Sequence, residues 1–372
     1  MTGFSSCCAA IVAIGLTACA HEEPFQNQNP GLDSTFGRGP DRQLTFNPAA
    51  DVRPAWLSDG SALIYTYEGI SGSVRDRCLA SLPPSGGTRR ELPCAASQLS
   101  QDSVDAFSEA APGPGGKLLF TRESSLPGDI NPRQGALELG TVNQPGSATT
   151  VLTFPYTASN GHIHSGISHI RWLSPTRAIY LASTVTYPRP CGPCEADTVY
   201  TGLELVELDL SGPTPTIQPV PGTDSASSVD VGSSANEIFF TRNGDTRVYQ
   251  MDLTSGGIIV AHDFGAGGIV RDVAFFGNQL YAVVGGLVVY TVDPALGPSQ
   301  LDHGGKLYIA DLVNGTDSWR IVDSRVFRRP VISPLRNRMV AESFALTIIG
   351  CGQGCADTVV SRSADLWLLD LP

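Results

Sequence analysis

Asp51-Val-Arg-Pro-Ala-Trp-Leu-Ser-Asp-Gly-Ser-Ala-Leu-Ile-Tyr-Thr-Tyr67 reads as a strand, a tight turn and a second, strongly apolar strand. Ser58-Asp59-Gly60 carries the turn chemistry, because Asp and Ser cap local amides and Gly accepts a left-handed backbone. The same unit recurs as Ile170-Arg-Trp-Leu-Ser-Pro-Thr-Arg-Ala-Ile-Tyr-Leu181 and as Arg329-Pro-Val-Ile-Ser-Pro-Leu-Arg-Asn-Arg-Met-Val340. Three weaker copies lie at Val104-Asp-Ala-Phe107 before KLLFTRE, Ser228-Val-Asp-Val231 before EIFFTRN, and Arg271-Asp-Val-Ala274 before QLYAVVG. Six units emerge, and self-similarity of this kind marks a repeat architecture.

Each unit continues into further strands. Third strands read as GALELGTV at 135–142, GLELVELDL at 202–210, TRVYQMDL at 246–253, KLYIADL at 306–312 and ADLWLLDL at 364–371. Fourth strands follow in most units, for example TTVLTF at 149–154 and WRIV at 319–322. The sixth unit reaches Pro372 without one, whereas Arg42-Gln-Leu-Thr-Phe46 stands unassigned before the first. The expected fold is therefore all-β, a six-bladed propeller of four-stranded antiparallel blades over residues 41–372. The N-terminal strand is expected to complete the last blade and remove the open edge.

The repeat, with its aromatic, Ser, Pro-Asp-Gly-like turn and apolar strand, resembles that of TolB-like (WD-type repeat) propellers. That resemblance implies the fold and leaves function open, since such folds carry many functions.

The amino terminus points to export. Residues 7–18, CCAAIVAIGLTA, form an uncharged apolar run suited to a signal-peptide core and too short for a membrane-spanning helix. It ends in Leu16-Thr17-Ala18-Cys19, which resembles the lipobox of bacterial lipoproteins and implies lipidation of Cys19, although no Lys or Arg precedes the run. The expected organisation is a signal peptide at 1–18, a flexible Asn-, Gln-, Gly- and Pro-rich tether at 19–40, and the propeller at 41–372. Such a protein is expected at the outer membrane of the cell envelope, facing periplasm or surface, and held there through its lipid alone. Beyond Cys19 six cysteines remain, and local spacing favours the pairs Cys78–Cys94, Cys191–Cys194 and Cys351–Cys355 in an oxidising compartment. Cys191-Gly-Pro-Cys194 has the letters of a redox motif, but the strand-like TVYTGLELVELDL follows it where a helix N-terminus is required.

The formal charge is −12 with only 16% charged residues, which disfavours a phosphate-tracking surface and hence nucleic acid as a partner. No Gly-x-Ser-x-Gly, His-Glu-x-x-His or phosphate-loop pattern occurs. Because strands alternate direction, the segments leading into the innermost strands share a face with the loops between second and third strands. Those loops are long at 123–134, 184–201, 285–305 and 344–362. Aligning the units places Arg53, Asp105, His169, Ser228, Asp272 and Arg329 around the mouth of the channel on this face, where ion pairing among them and ligand binding are both open readings. His162 and His164 lie in Asn160-Gly-His-Ile-His-Ser-Gly-Ile-Ser-His169 and share a face if extended. With His169 they form a weak candidate metal set.

Two functions follow as expectations. The first is a non-catalytic scaffold, expected to be monomeric and without cofactor, that binds an envelope protein or other envelope component through the long-loop face. The second is a propeller hydrolase or lyase acting on glycan or peptide with a metal at His162, His164 and His169.

Overall fold

The computed structural model describes residues 41–371 except 48–49, 69–76, 95–103, 126–133, 187–198, 266–267, 286–288, 294–296, 302–304, 320–324, 336, 351–355 and 361–363. Gln43–Pro372 forms one compact unit. It is a six-bladed propeller of antiparallel sheets. The innermost strands are Ala50–Trp56, Val104–Pro112, Ile163–Ser174, Ala226–Val231, Ile269–Phe276 and Arg325–Ile332, in blades one to six. Blade six takes its outer strand from the segment that precedes blade one, with Gln43 beside Asp365–Asp370 and Leu44 N donating to Leu366 O at 2.7 Å.

The core lies between blades. Second strands carry an apolar stretch of consecutive residues, such as Ala178–Ala182 and Ile238–Phe240, because alternate side chains point to opposite neighbours. In blade three, Tyr180 and Ala182 pack with Leu119, Leu137 and Phe154 of blade two, while Ile179 and Leu181 pack with Val229, Ile238 and Phe240 of blade four. The closing seam is built the same way, from Trp56, Leu63 and Tyr65 against Val340, Leu366 and Leu368. The repeat's tryptophans also bridge blades: Trp56 Nε1 donates to Val331 O at 3.1 Å, and Trp172 Nε1 to Ala111 O at 2.9 Å. Gly113 fits only as glycine, since a Cβ there would stand 2.4 Å from the Trp172 ring.

Two of the expected long loops are in part strand. In blade five a hairpin, Val289–Asp293 with Gly297–Leu301, fills the insertion. In blade six the second strand runs on to Gly350 and pairs with Ala356–Val360 before the third strand begins. The register sets Cys78 opposite Cys94, the juxtaposition their expected bond requires. Cys19, Cys191, Cys194, Cys351 and Cys355 lie outside the described residues.

Candidate functional site

Every innermost strand carries a register irregularity. At four of them a non-glycine residue takes a left-handed backbone: Arg53 (φ 57°), Glu109 (φ 52°), His169 (φ 51°) and Arg329 (φ 45°). Such a conformation costs on the order of 1–3 kcal/mol, and a bulge re-aims the side chain it carries. Here these residues meet one another across the channel.

Glu109 is the hub. Its carboxylate receives Arg53 Nε at 3.0 Å, Arg329 Nη1 at 2.7 and 2.9 Å, and the His169 backbone amide at 3.1 Å. Asp272 accepts His169 Nε2 on one oxygen and the Arg329 amide on the other, each at 3.1 Å. Glu342, on the second strand of blade six, accepts the Arg53 amide at 2.6 Å and faces Arg329 Nε at 3.8 Å. Ser228 Oγ accepts the Val273 amide at 3.1 Å. Glu109, Asp272 and Glu342 are all buried.

The electrostatics follow from this saturation. Burial alone would raise Glu109, but Arg329 and Arg53 bring it down to about 2. Asp272 is likewise held far below the usual carboxylate range against its burial, by the His169 hydrogen bond and charge. Burial, with Arg329 beside it, pushes His169 down to about 4, so a neutral ring donates from Nε2 to Asp272.

The structure therefore brings Arg53, His169, Asp272 and Arg329 together as the alignment expects. It does not place Asp105 with them. Asp105 accepts Ser124 Oγ at 2.5 Å and lies 3.8 Å from Arg122, at the start of its strand. Glu109 occupies the equivalent bulge, and counting back from the turn finds it: Glu109 precedes Gly116 by the same interval as Arg53 precedes Gly60.

His162 and His164 belong to a different cluster. His164 is fully buried, its Nε2 bonded to Glu204 and its Nδ1 2.6 Å from the Tyr156 hydroxyl. Tyr180 OH stands 2.8 Å from Tyr156 OH and completes the chain. Half-exposed His162 reaches the other Glu204 oxygen through Nδ1 at 3.0 Å, and Asn160 Nδ2 donates to the same oxygen at 3.0 Å. Glu204 is held below its ordinary value against burial by the hydrogen bonds from His164, Asn160 and His162. The three histidines of the candidate metal set are thus divided between Glu204 and Asp272. Among the described residues no group of His, Cys, Asp and Glu has metal-holding geometry.

Beyond the ion network, towards the first-to-second strand turns, the channel opens into a cavity of about 680 Å³ to which all six blades contribute. Trp56, Trp172, Phe275 and Phe276 supply its aromatic surface. Arg171 and Asp230 supply its charge, joined at 3.1 Å. Asp230 also accepts the Phe275 amide at 2.9 Å.

Neither a protein-family model nor a curated protein matches the sequence. Solved structures share the fold. TolB from Acinetobacter baumannii is similar at 12% identity and TM-score 0.51, covering 84% of this chain and 64% of that one, so this chain spans less than two thirds of that protein. The gluconolactonase XC5397 from Xanthomonas campestris is similar at 12% identity and TM-score 0.55, with 92% of each chain covered. A luciferin-regenerating enzyme is similar at 10% identity and TM-score 0.53, covering 88% and 94%. These likenesses establish a propeller fold shared by enzymes and by TolB.

Proposed function

We propose that this chain is a non-catalytic binding propeller of the cell envelope, carried by an N-terminal lipid at Cys19, and that its channel network is a plug. The supporting observation is the saturation of that network. A general acid or base needs a free atom facing substrate and a pKa near the working pH. Glu109 and Asp272 are instead held as ions by guanidinium, imidazole and amide donors, and His169 is held neutral. The partner is an envelope protein or other envelope component. Its favoured seat is the cavity below the plug, whose volume lies within the range of ligand sites and whose surface mixes aromatic rings with one guanidinium–carboxylate pair. The opposite, long-loop face is the second reading, favoured by the strand extensions of blades five and six on that side.

Site-specific photocrosslinking in the native envelope separates these. A photoreactive residue at Ser233, on the cavity rim, should capture a discrete partner, and one at Glu68, on the long-loop side, should not. Capture from Glu68 alone would move the site to the other face. Turnover of a lactone or glycan abolished by His169→Gln would replace the scaffold by an enzyme.

A further inference from the structure

The seam where the ring closes holds two acids that the channel network does not use. Asp51, in the innermost strand of blade one, is 1% exposed, and its amide donates to Ala364 O at 2.8 Å. That bond sets it beside Asp365, the first residue of the third strand of blade six. The closing segment holds both acids. Gln43 Nε2 donates to Asp365 Oδ2 at 2.9 Å and Asn47 Nδ2 to Asp51 Oδ1 at 3.1 Å, while Thr45 Oγ1 accepts the Leu366 amide at 2.9 Å. Asp365 Oδ1 is buried without a hydrogen-bond partner, which is costly for an ionised carboxylate and is relieved by a proton.

We propose that Asp51 and Asp365 each hold a proton in the closed seam, so that ring closure is a pH-sensitive latch, tight in mild acid and loosened towards neutral pH. Burial and then the Asp51 charge push Asp365 up to about 7, with Arg325 and the Asn47 amide opposing. Burial pushes Asp51 up to about 6 against the Thr45 and Asn47 hydrogen bonds and Arg89, with Glu68 adding to the rise. Tyr65, raised chiefly by burial, also faces Asp51. The sign is fixed by linkage. An opened seam releases its protons in the ordinary carboxylate range near 4, whereas the closed seam keeps them to about 6 and 7. Closure therefore weakens as pH rises through this interval and is constant above it. The latch acts where Gln43, Thr45 and Asn47 bind the last blade, so it governs how firmly the first and last blades are joined.

Hydrogen exchange read by mass spectrometry tests this on the full chain. Protection of peptides covering 43–47 and 364–371, corrected for intrinsic exchange, should fall by roughly tenfold per pH unit for each proton released between about pH 5 and 7. Protection of Glu237–Arg242 in blade four is the internal control. Asp365→Asn should flatten the seam's pH dependence, and Asp51→Asn serves as an independent variant should the first fold poorly. Flat protection in the unaltered protein overturns the proposal, as does a slope that survives in both variants. Seam protection that collapses at pH 5 when a chelator is added also overturns it, because a bound cation would then be holding the pair.

Discussion

Replacing Glu109 by Gln keeps the side chain's shape and removes the charge that two partly buried guanidiniums face. Arg53 and Arg329 lie 3.0 and 2.7 Å from the carboxylate, which is 6% exposed, and breaking such a pair from one side costs about 3–5 kcal/mol. The carboxylate's titration gives an independent figure. Glu109 is depressed from 4.5 to about 2, so the unfolded chain binds the extra proton between these values and stability falls as pH drops through that window. The drop spans about two and a half pH units, or roughly 3.5 kcal/mol, since one unit corresponds to about 1.4 kcal/mol. Both routes agree. For a unit of this size 1 kcal/mol moves Tm by roughly 1–2 °C, so Glu109→Gln should lower Tm at pH 7 by roughly 3–10 °C. The variant should also lose much of the acid destabilisation below about pH 4.5. Thermal unfolding followed by circular dichroism from pH 7 to 3 reads both effects. A shift of under about 1 °C, or an unchanged acid limb, would refute the reasoning.

Four further outcomes are expected. His169 sits below its ordinary value, at about 4, so the unfolded chain gains its proton first and stability falls as pH drops from about 6.5 to 4; His169→Gln should reduce that slope in the same unfolding titration. Trp56→Phe leaves the Val331 carbonyl without its indole donor and should cost about 1–3 kcal/mol in denaturant unfolding. Gly113→Ala drives a methyl to 2.4 Å from the Trp172 ring and should cost about 1–3 kcal/mol, a penalty eased in the double variant with Trp172→Ala. Cys19→Ser should release the protein from membranes on fractionation, and retention would remove the lipid anchor from the proposal.

The fold was readable because the repeat carries its own geometry. An aromatic or aliphatic anchor, a turn and a doubly buried apolar strand recur clearly around Trp56, Trp172 and Val331-Ile332, and the leftover strand before the first unit matches the one the last unit lacks. The site was half readable. Arg53, His169 and Arg329 stand at fixed distances from the turn, but blade two has Pro112 where the other copies have an aromatic or aliphatic anchor, so strand content points to Asp105 instead of Glu109. Glu204 left a signal in its alternation, in phase with the buried Val206 and Leu208, that its charge disguised. Nothing local announces the cavity. Arg171 and Asp230 lie 59 residues apart and meet only because adjacent blades bring equivalent positions together around the axis.

Carboxyl-carbon NMR of the channel acids across a pH titration, assigned through Glu109→Gln and Asp272→Asn, tests the plug most directly. Both carboxylates should remain ionised from about pH 8 down to about pH 3, because the cations and amides around them stabilise only the charged form. A channel carboxyl that titrates between about pH 5 and 8 would be an acid free to move protons, and would contradict the reading of this channel as a sealed structural centre.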